Sequence, residues 1–199
     1  MVADAEIAEA VAHLRRGGVV IYPTGSFLAA GVLATLSEAV ARLRSLKARP
    51  ANKPFGVIVA AIDDLAELGI DMSAIERGLA ARFWPGPLSL VLPLTPISPL
   101  AGLYPGGRVA VRVPGHPVAR ALAAACGGAI TATSANRSGA PPVTAVRDRG
   151  SEWRSPDVWV LGDEPAGGGL PSTVVQVRNG VVRVLRRGRL SAAELGAAS

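Results

Sequence analysis

Residues 19–22 read Val-Val-Ile-Tyr, four consecutive apolar side chains closed in by Gly17-Gly18 before and Pro23-Thr24 after. The run is too short for a core helix and lacks the apolar/polar alternation of a strand with one face in water. It therefore specifies a strand buried on both faces, in a sheet covered above and below. Residues 55–60 repeat the pattern, and further strands are expected at 88–92, 109–113 and 129–133. Helical spacing fills the gaps between them. Asp4 is placed to cap a helix through about Arg16, with Ile7, Val11 and Leu14 on one face. Ser37 starts a second helix carrying Val40, Leu43 and Leu46, and Asp63 opens a short third one. Ser73-Ala74-Ile75-Glu76 is a capping box for a helix that must end before Pro85, and residues 117–125 form another.

Toward the C-terminus, strands are expected at 158–161, 173–177 and 181–185, with Asn179-Gly180 as a two-residue hairpin turn. Residues 140–155 carry no clear period. The Gly-rich stretch 166–170 reads as a mobile loop rather than a linker. The whole, residues 1–199, reads as a single α/β domain around a twisted, mixed parallel/antiparallel sheet with flanking helices. Only 4% of residues are aromatic against 49% apolar overall, so the core must be built from Ala, Val, Leu and Ile. Cys126 is the only cysteine, which excludes an internal disulfide or a cysteine zinc cluster; its Ala-rich surroundings point to a small buried apolar role. No signal-peptide pattern and no apolar run of transmembrane length is present, so a cytoplasmic location without membrane contact is expected.

The formal charge of +6 favours an anionic partner such as a nucleotide, RNA or phosphate. Two of the 21 basic residues are lysines, Lys47 and Lys53, and both lie in one seven-residue stretch. A compact, mobile ammonium suits phosphate oxygens differently from the rigid guanidinium fork. Strand ends in α/β sheets commonly hold ligands. Three polar clusters fall at such ends: Thr24-Gly25-Ser26, residues 133–139 beginning Thr133-Ser134-Ala135-Asn136, and Ser172-Thr173. Lys47, Arg49, Lys53, Arg112 and Arg186 are the basic groups able to join them. There is no Walker A sequence and no GxGxxG after the first strand. His116 stands at a helix start, where capping or exposure is expected, and His13 is expected on the surface.

Singly these clusters are weak signals, but their order is specific. Pro23-Thr24, Lys47-x-Arg49, Trp84-Pro85-Gly86-Pro87, Arg112-x-Pro114, Ser134-x-Asn136-x-Ser138-Gly139 and Pro171-Ser172-Thr173-Val174-Val175 form a collinear set. This set closely resembles the YrdC/Sua5 family of threonylcarbamoyl-AMP synthases, in its short single-domain branch, over about residues 6–189. The resemblance implies a mixed α/β fold with a basic concave cavity. It implies an enzyme, a nucleotidyltransferase that joins L-threonine, bicarbonate and ATP into threonylcarbamoyl-AMP and pyrophosphate. A separate threonylcarbamoyl transferase complex then modifies tRNA, and direct contact with tRNA or double-stranded RNA is a further expectation. It assigns Lys47 and Arg49 to the triphosphate as the catalytic pair, with Arg186 completing the grip. Ser134 and Asn136, with Ser138 nearby, go to the nucleotide. Thr24, Ser26, Arg112 and Thr133 go to threonine, and Ser172 can touch either ligand. Magnesium would accompany ATP, with no protein metal site, and Trp84 to Pro87 would be a structural turn.

The first motif departs from the family's pattern. Relatives read Pro-Thr-acid-Thr, then an aromatic two residues on, followed by Gly. Here Gly25 stands for the acid, Ser26 for the second Thr, Leu28 for the aromatic and Ala29 for the glycine. The phosphate-side motifs are intact. Two other readings accompany the synthase: a non-catalytic paralogue that binds RNA or nucleotide, and a carbamoyl-transfer enzyme with another acceptor.

Overall fold

A computed structural model describes residues 2–197. Helix α1 (Asp4–Arg15) buries Ile7, Ala10, Val11 and Leu14. Its cap position is Ala3, whose N–H donates to Glu6 Oε2 at 2.9 Å, so Asp4 is the first helical residue and not the cap. Strand β1 (Val19–Pro23) is buried at every position, as its unbroken apolar run requires. Strand β2 (Leu28–Gly31), absent from the sequence reading, returns antiparallel to β1 and is also wholly buried. Leu-Ala-Ala-Gly contains no β-branched residue, so β-propensity gave no sign of it. Gly31 is required there by packing, because a Cβ would collide with the Thr131 carbonyl.

Helix α2 (Ser37–Leu46) leads to β3 (Gly56–Ile58), short α3 (Asp64–Glu67), α4 (Ala74–Phe83), β4 (Leu88–Pro93) and β5 (Arg108–Arg112). Next come α5 (Pro117–Cys126), β6 (Ile130–Ser134), β7 (Val158–Val160), β8 (Thr173–Arg178), β9 (Val181–Arg186) and α6 (Ala192–Leu195). The expected capping box opens α4: Ser73 Oγ accepts from the Glu76 N–H, and Glu76 Oε2 accepts from the Ser73 N–H. The strands form one nine-stranded sheet in the order β7-β1-β2-β6-β3-β5-β4-β8-β9. Pairs β1/β7, β3/β5 and β4/β8 are parallel and the rest antiparallel. This is the mixed sheet the sequence led one to expect.

Both faces carry layers over part of their area. Val57, Leu90, Val111 and Val175 pack with Leu65 of α3 and with Leu79 and Ala80 of α4 on one side. On the other, α1 and α5 cover Val20, Tyr22, Ile58 and Ile130. Further along the Ile58/Ile130 face no helix follows. Period-two alternation puts Gly56, Ala132, Ser134, Ala110, Arg112, Ser89 and Val174 on that open surface. Gly56 pairs with Ala132, Ser134 with Ala29, and Ser89 with Val174. Small side chains in neighbouring strands thus leave a hollow where a core would otherwise fill.

Residues 140–155 follow β6, and Ala140 and Pro142 among them line the hollow. The segment forms two 3-10 turns, Val146–Asp148 and Ser151–Arg154, around a fully buried Trp153. Residues 166–170, read from composition as mobile, are pinned in the structure. Ala166 N–H donates to the Thr144 carbonyl, Gly168 N–H to the Ser26 carbonyl, and Ser26 Oγ to the Leu170 carbonyl, at 2.7, 2.7 and 2.8 Å. His13 is half-buried, with Nε2 donating to the Asp157 carbonyl at 2.9 Å, rather than a free surface residue. Cys126 packs at the edge of the α1/α5 cluster, and burial raises its thiol pKa to about 11. Among the described residues, no helix is long and apolar enough to cross a membrane.

Candidate active site

The open stretch of sheet floors a cavity of about 620 Å³. Thr24, Ser26, Lys47, Arg49, Arg112, Thr133, Ser134, Asn136, Ser138, Ser172 and Arg186, all the site residues expected from sequence, line it. So does Lys53, at the exposed mouth. The lining holds five cationic side chains and, among the described residues, no Asp, Glu or His. Gly56, Ala110 and Ala132 pave the floor, and each is only partly buried, so a ligand can reach the backbone there.

The basic wall is built by the end of α2. Lys47 is the C-cap residue, and Ala48 takes the left-handed conformation with φ 49°. That turn swings the chain so that Lys47 and Arg49 point differently. Lys47 is 2% exposed, and its Nζ donates to the Ser134 carbonyl at 2.6 Å, the Asn136 carbonyl at 2.7 Å and Asn136 Oδ1 at 3.2 Å. The direct phosphate grip expected of Lys47 is not what this geometry displays, since three ammonium hydrogens meet three protein oxygens. Burial, and then the neighbouring Arg49 charge, lower its pKa to about 8. Arg49 stacks over Phe55, guanidinium carbon 4.9 Å from the ring centre. Its Nε donates to the Lys53 carbonyl and its Nη2 to the Pro54 carbonyl. One edge of the fork is held, leaving Nη1 unengaged by these bonds at the cavity wall.

The opposite wall carries two more guanidinium groups. Arg112, at the end of β5, is fixed by Nε donating to the Gly86 carbonyl at 2.8 Å. Gly86 belongs to the turn at 84–87, which Trp84 Nε1 braces by donating to the Leu88 carbonyl. Arg186 Nη2 donates to the Ser172 carbonyl at 2.9 Å and lies 3.0 Å from Ser172 Oγ, which in turn meets Ser89 Oγ at 3.0 Å. Burial depresses the pKa values of Arg49, Arg112 and Arg186, and repulsion from other arginines adds to this for the first two. Guanidinium groups remain charged regardless. The site therefore holds unneutralised positive charge in a partly desolvated space, the condition under which an anion binds most strongly.

At the third side, Thr24 Oγ1 donates to the Phe27 carbonyl at 2.5 Å, closing a tight turn. Ser89 lines the cavity and was not read from the sequence, and Arg189 stands just outside the lining. Arg189 Nη1 approaches the Gly25 carbonyl at 3.4 Å and lies 3.7 Å from where a Cβ of residue 25 would stand. A cation thus occupies the neighbourhood of the position where the family's pattern has an acid, and nothing in an Arg-rich sequence singled it out. His116 stands at the N-cap of α5, makes no side-chain cap bond there and does not line the cavity. Its Nδ1 is buried without a hydrogen-bond partner, and burial lowers its pKa.

Known proteins share the sequence pattern and the fold. The Sua5/YciO/YrdC family profile, described as telomere recombination, matches residues 12–188. The threonylcarbamoyl-AMP synthase of Bacillus subtilis is 35% identical over 198 residues, 98% of this chain but 56% of that protein. The threonylcarbamoyl-AMP synthase of Chromohalobacter salexigens is 35% identical over 185 residues, 91% of this chain and 96% of that protein. The crystal structure of P. abyssi Sua5 complexed with L-threonine superposes with a TM-score of 0.83 at 32% identity, covering 95% of this chain and 56% of that one. The chain thus spans a little over half of the longer relatives and nearly all of the shorter one. The family profile across residues 12–188, with relatives 35% identical over nearly the whole chain and a shared fold, places the chain in the Sua5/YciO/YrdC family.

Proposed function

We propose that this protein is a threonylcarbamoyl-AMP synthase, converting L-threonine, bicarbonate and ATP into threonylcarbamoyl-AMP and pyrophosphate for N6-threonylcarbamoyladenosine modification of tRNA. The observation that carries the reading is the cavity itself: five cations and a ring of hydroxyls, without a carboxylate, around a floor of small residues. Such a lining suits a reaction whose ATP, bicarbonate and carbamate are anions and whose amino acid presents a carboxylate.

The substrates supply the chemistry. A carbamate oxygen of N-carboxythreonine attacks the α-phosphorus of ATP. The new P–O bond forms as the bond to the bridging oxygen of pyrophosphate breaks, and pyrophosphate leaves with that electron pair. No side chain need act as nucleophile, so the protein's work is alignment and charge neutralisation. Arg49 and Arg186 face the triphosphate, and Ser134, Asn136 and Ser138 shape the nucleotide wall. Arg112 takes the threonine carboxylate on its free edge. Thr24, Ser26, Thr133 and Ser172 surround the acceptor. Magnesium fits this site only as part of its nucleotide. With no carboxylate in the lining, the ion would be held by phosphate oxygens, water and neighbouring hydroxyls, lending further charge neutralisation when bound.

Purified protein given ATP, bicarbonate and magnesium is expected to release pyrophosphate only when threonine is added, and a panel of other amino acids should not replace it. Pyrophosphate release driven equally by another amino acid would reassign the acceptor. Bound ATP with no amino-acid dependence would instead support a nucleotide- or RNA-binding paralogue.

A further inference from the structure

We infer that Lys47 is a positioning residue: its ammonium builds the nucleotide-facing loop 134–138 from behind and makes no contact with phosphate. The inference rests on the nucleotide half of the function proposed above. Three observations converge on it. The ammonium is almost wholly buried, and its three hydrogens meet three oxygens that all belong to that loop. The anchoring is reciprocal, because the Ser138 N–H donates back to the Lys47 carbonyl at 2.9 Å. The left-handed turn at Ala48 then sends Arg49 along the cavity wall, so the two cations of the Lys-x-Arg pair divide their duties.

The chemistry explains the residue choice. Three convergent carbonyl-type acceptors around one point suit a compact, three-hydrogen ammonium, whereas a planar fork would need more room and a different acceptor geometry. In a chain that uses arginine for all but two of its 21 basic residues, a lysine at this position is what the cage demands. The consequence is structural. Drawing the carbonyls of Ser134 and Asn136 inward toward Lys47 fixes the loop whose side chains line the cavity. Asn136 is locked further by Nδ2 donating to the Arg137 and Ala140 carbonyls.

The scarcity of lysine makes the test clean. The full chain labelled uniformly with 15N and 13C gives two lysine side-chain ammonium groups, and exposed Lys53 exchanges rapidly with water. The slowly exchanging signal is expected to be Lys47, with hydrogen-bond couplings to the Ser134 and Asn136 carbonyl carbons. Its resonance should stay where it is when AMP or ATP with magnesium is added. Lys47→Met should weaken AMP and ATP by the same factor, whereas Arg49→Met should weaken ATP at least tenfold more than AMP. A coupling from Lys47 Nζ to phosphorus, a resonance displaced by nucleotide, or a selective loss of ATP affinity in Lys47→Met would overturn the inference while leaving the synthase reading standing. Should Lys47→Met fail to fold, the couplings in the natural sequence still decide the matter. Binding of neither nucleotide would overturn both readings.

Discussion

Leucine at position 132 or 110 is expected to abolish nucleotide binding while leaving the protein as stable as its natural sequence. Ala132 and Ala110 lie on the floor of the cavity, on strands that flank β3, and both are only partly buried. A larger side chain at either position extends into the cavity; Ala132 also borders the α1/α5 cluster, so Ala110→Leu is the variant freer of the overpacking strain of a core insertion. Either leucine fills the volume that a ligand must enter. ATP affinity should fall by at least about 100-fold, a loss of about 2.7 kcal/mol, measured by calorimetry. The melting temperature should move by no more than a few degrees. Undiminished ATP binding in both variants would place the nucleotide elsewhere on the molecule.

Trp153→Ala is expected to produce the largest loss of stability. Trp153 is 0% exposed and belongs to the cluster formed by β1, β2, α2 and Phe55. Removing a buried tryptophan leaves a cavity costing about 3–5 kcal/mol. For a chain of this size that lowers the melting temperature by roughly 6–20 °C. The effect reaches the active site because residues 140–155 include the lining residues Ala140 and Pro142 and are bonded to β2. Leu28 N–H donates to the Val143 carbonyl at 3.0 Å and Ala166 N–H to the Thr144 carbonyl, so this segment ties β2 to the strap at 166–170. Thermal unfolding of Trp153→Ala and Trp153→Phe checks the claim, with phenylalanine expected to recover much of the loss. A Trp153→Ala protein as stable as the natural one would show that the segment is dispensable to the fold.

What could be read from the sequence, and what could not, follows from the physics of each element. The run at 19–22 declares itself because burial on both faces leaves an unbroken apolar string, whereas of 55–60 only Gly56–Ile58 forms a strand and Gly56 stays open to the cavity. Strand β2 stays hidden because its pairing is enforced by a close approach at Gly31, which local propensity does not encode. The mixed order of the sheet depends on long-range pairing, such as β4 with β8, that no short window contains. Each site residue was unremarkable alone, and became legible through the order of the motifs. Yet the orientation of Lys47 was beyond reach, because the carbonyls that hold it are backbone atoms and carry no residue identity. The strap at 166–170 is similar. Its glycines suggest mobility, while backbone hydrogen bonds to Thr144 and Ser26 hold it.

The altered first motif concentrates the remaining question on the acceptor. Leu28 is buried at 1% exposure, so it restores packing where the pattern has an aromatic. Gly25 instead leaves space beside an arginine. The proposed threonine site takes in this side of the cavity, and the proposal has a direct chemical readout. Incubation with ATP, threonine, magnesium and 13C-bicarbonate, followed by mass spectrometry, is predicted to yield an AMP adduct containing both threonine and the labelled carbon. Bound and intact ATP, with no adduct carrying either component, would contradict it.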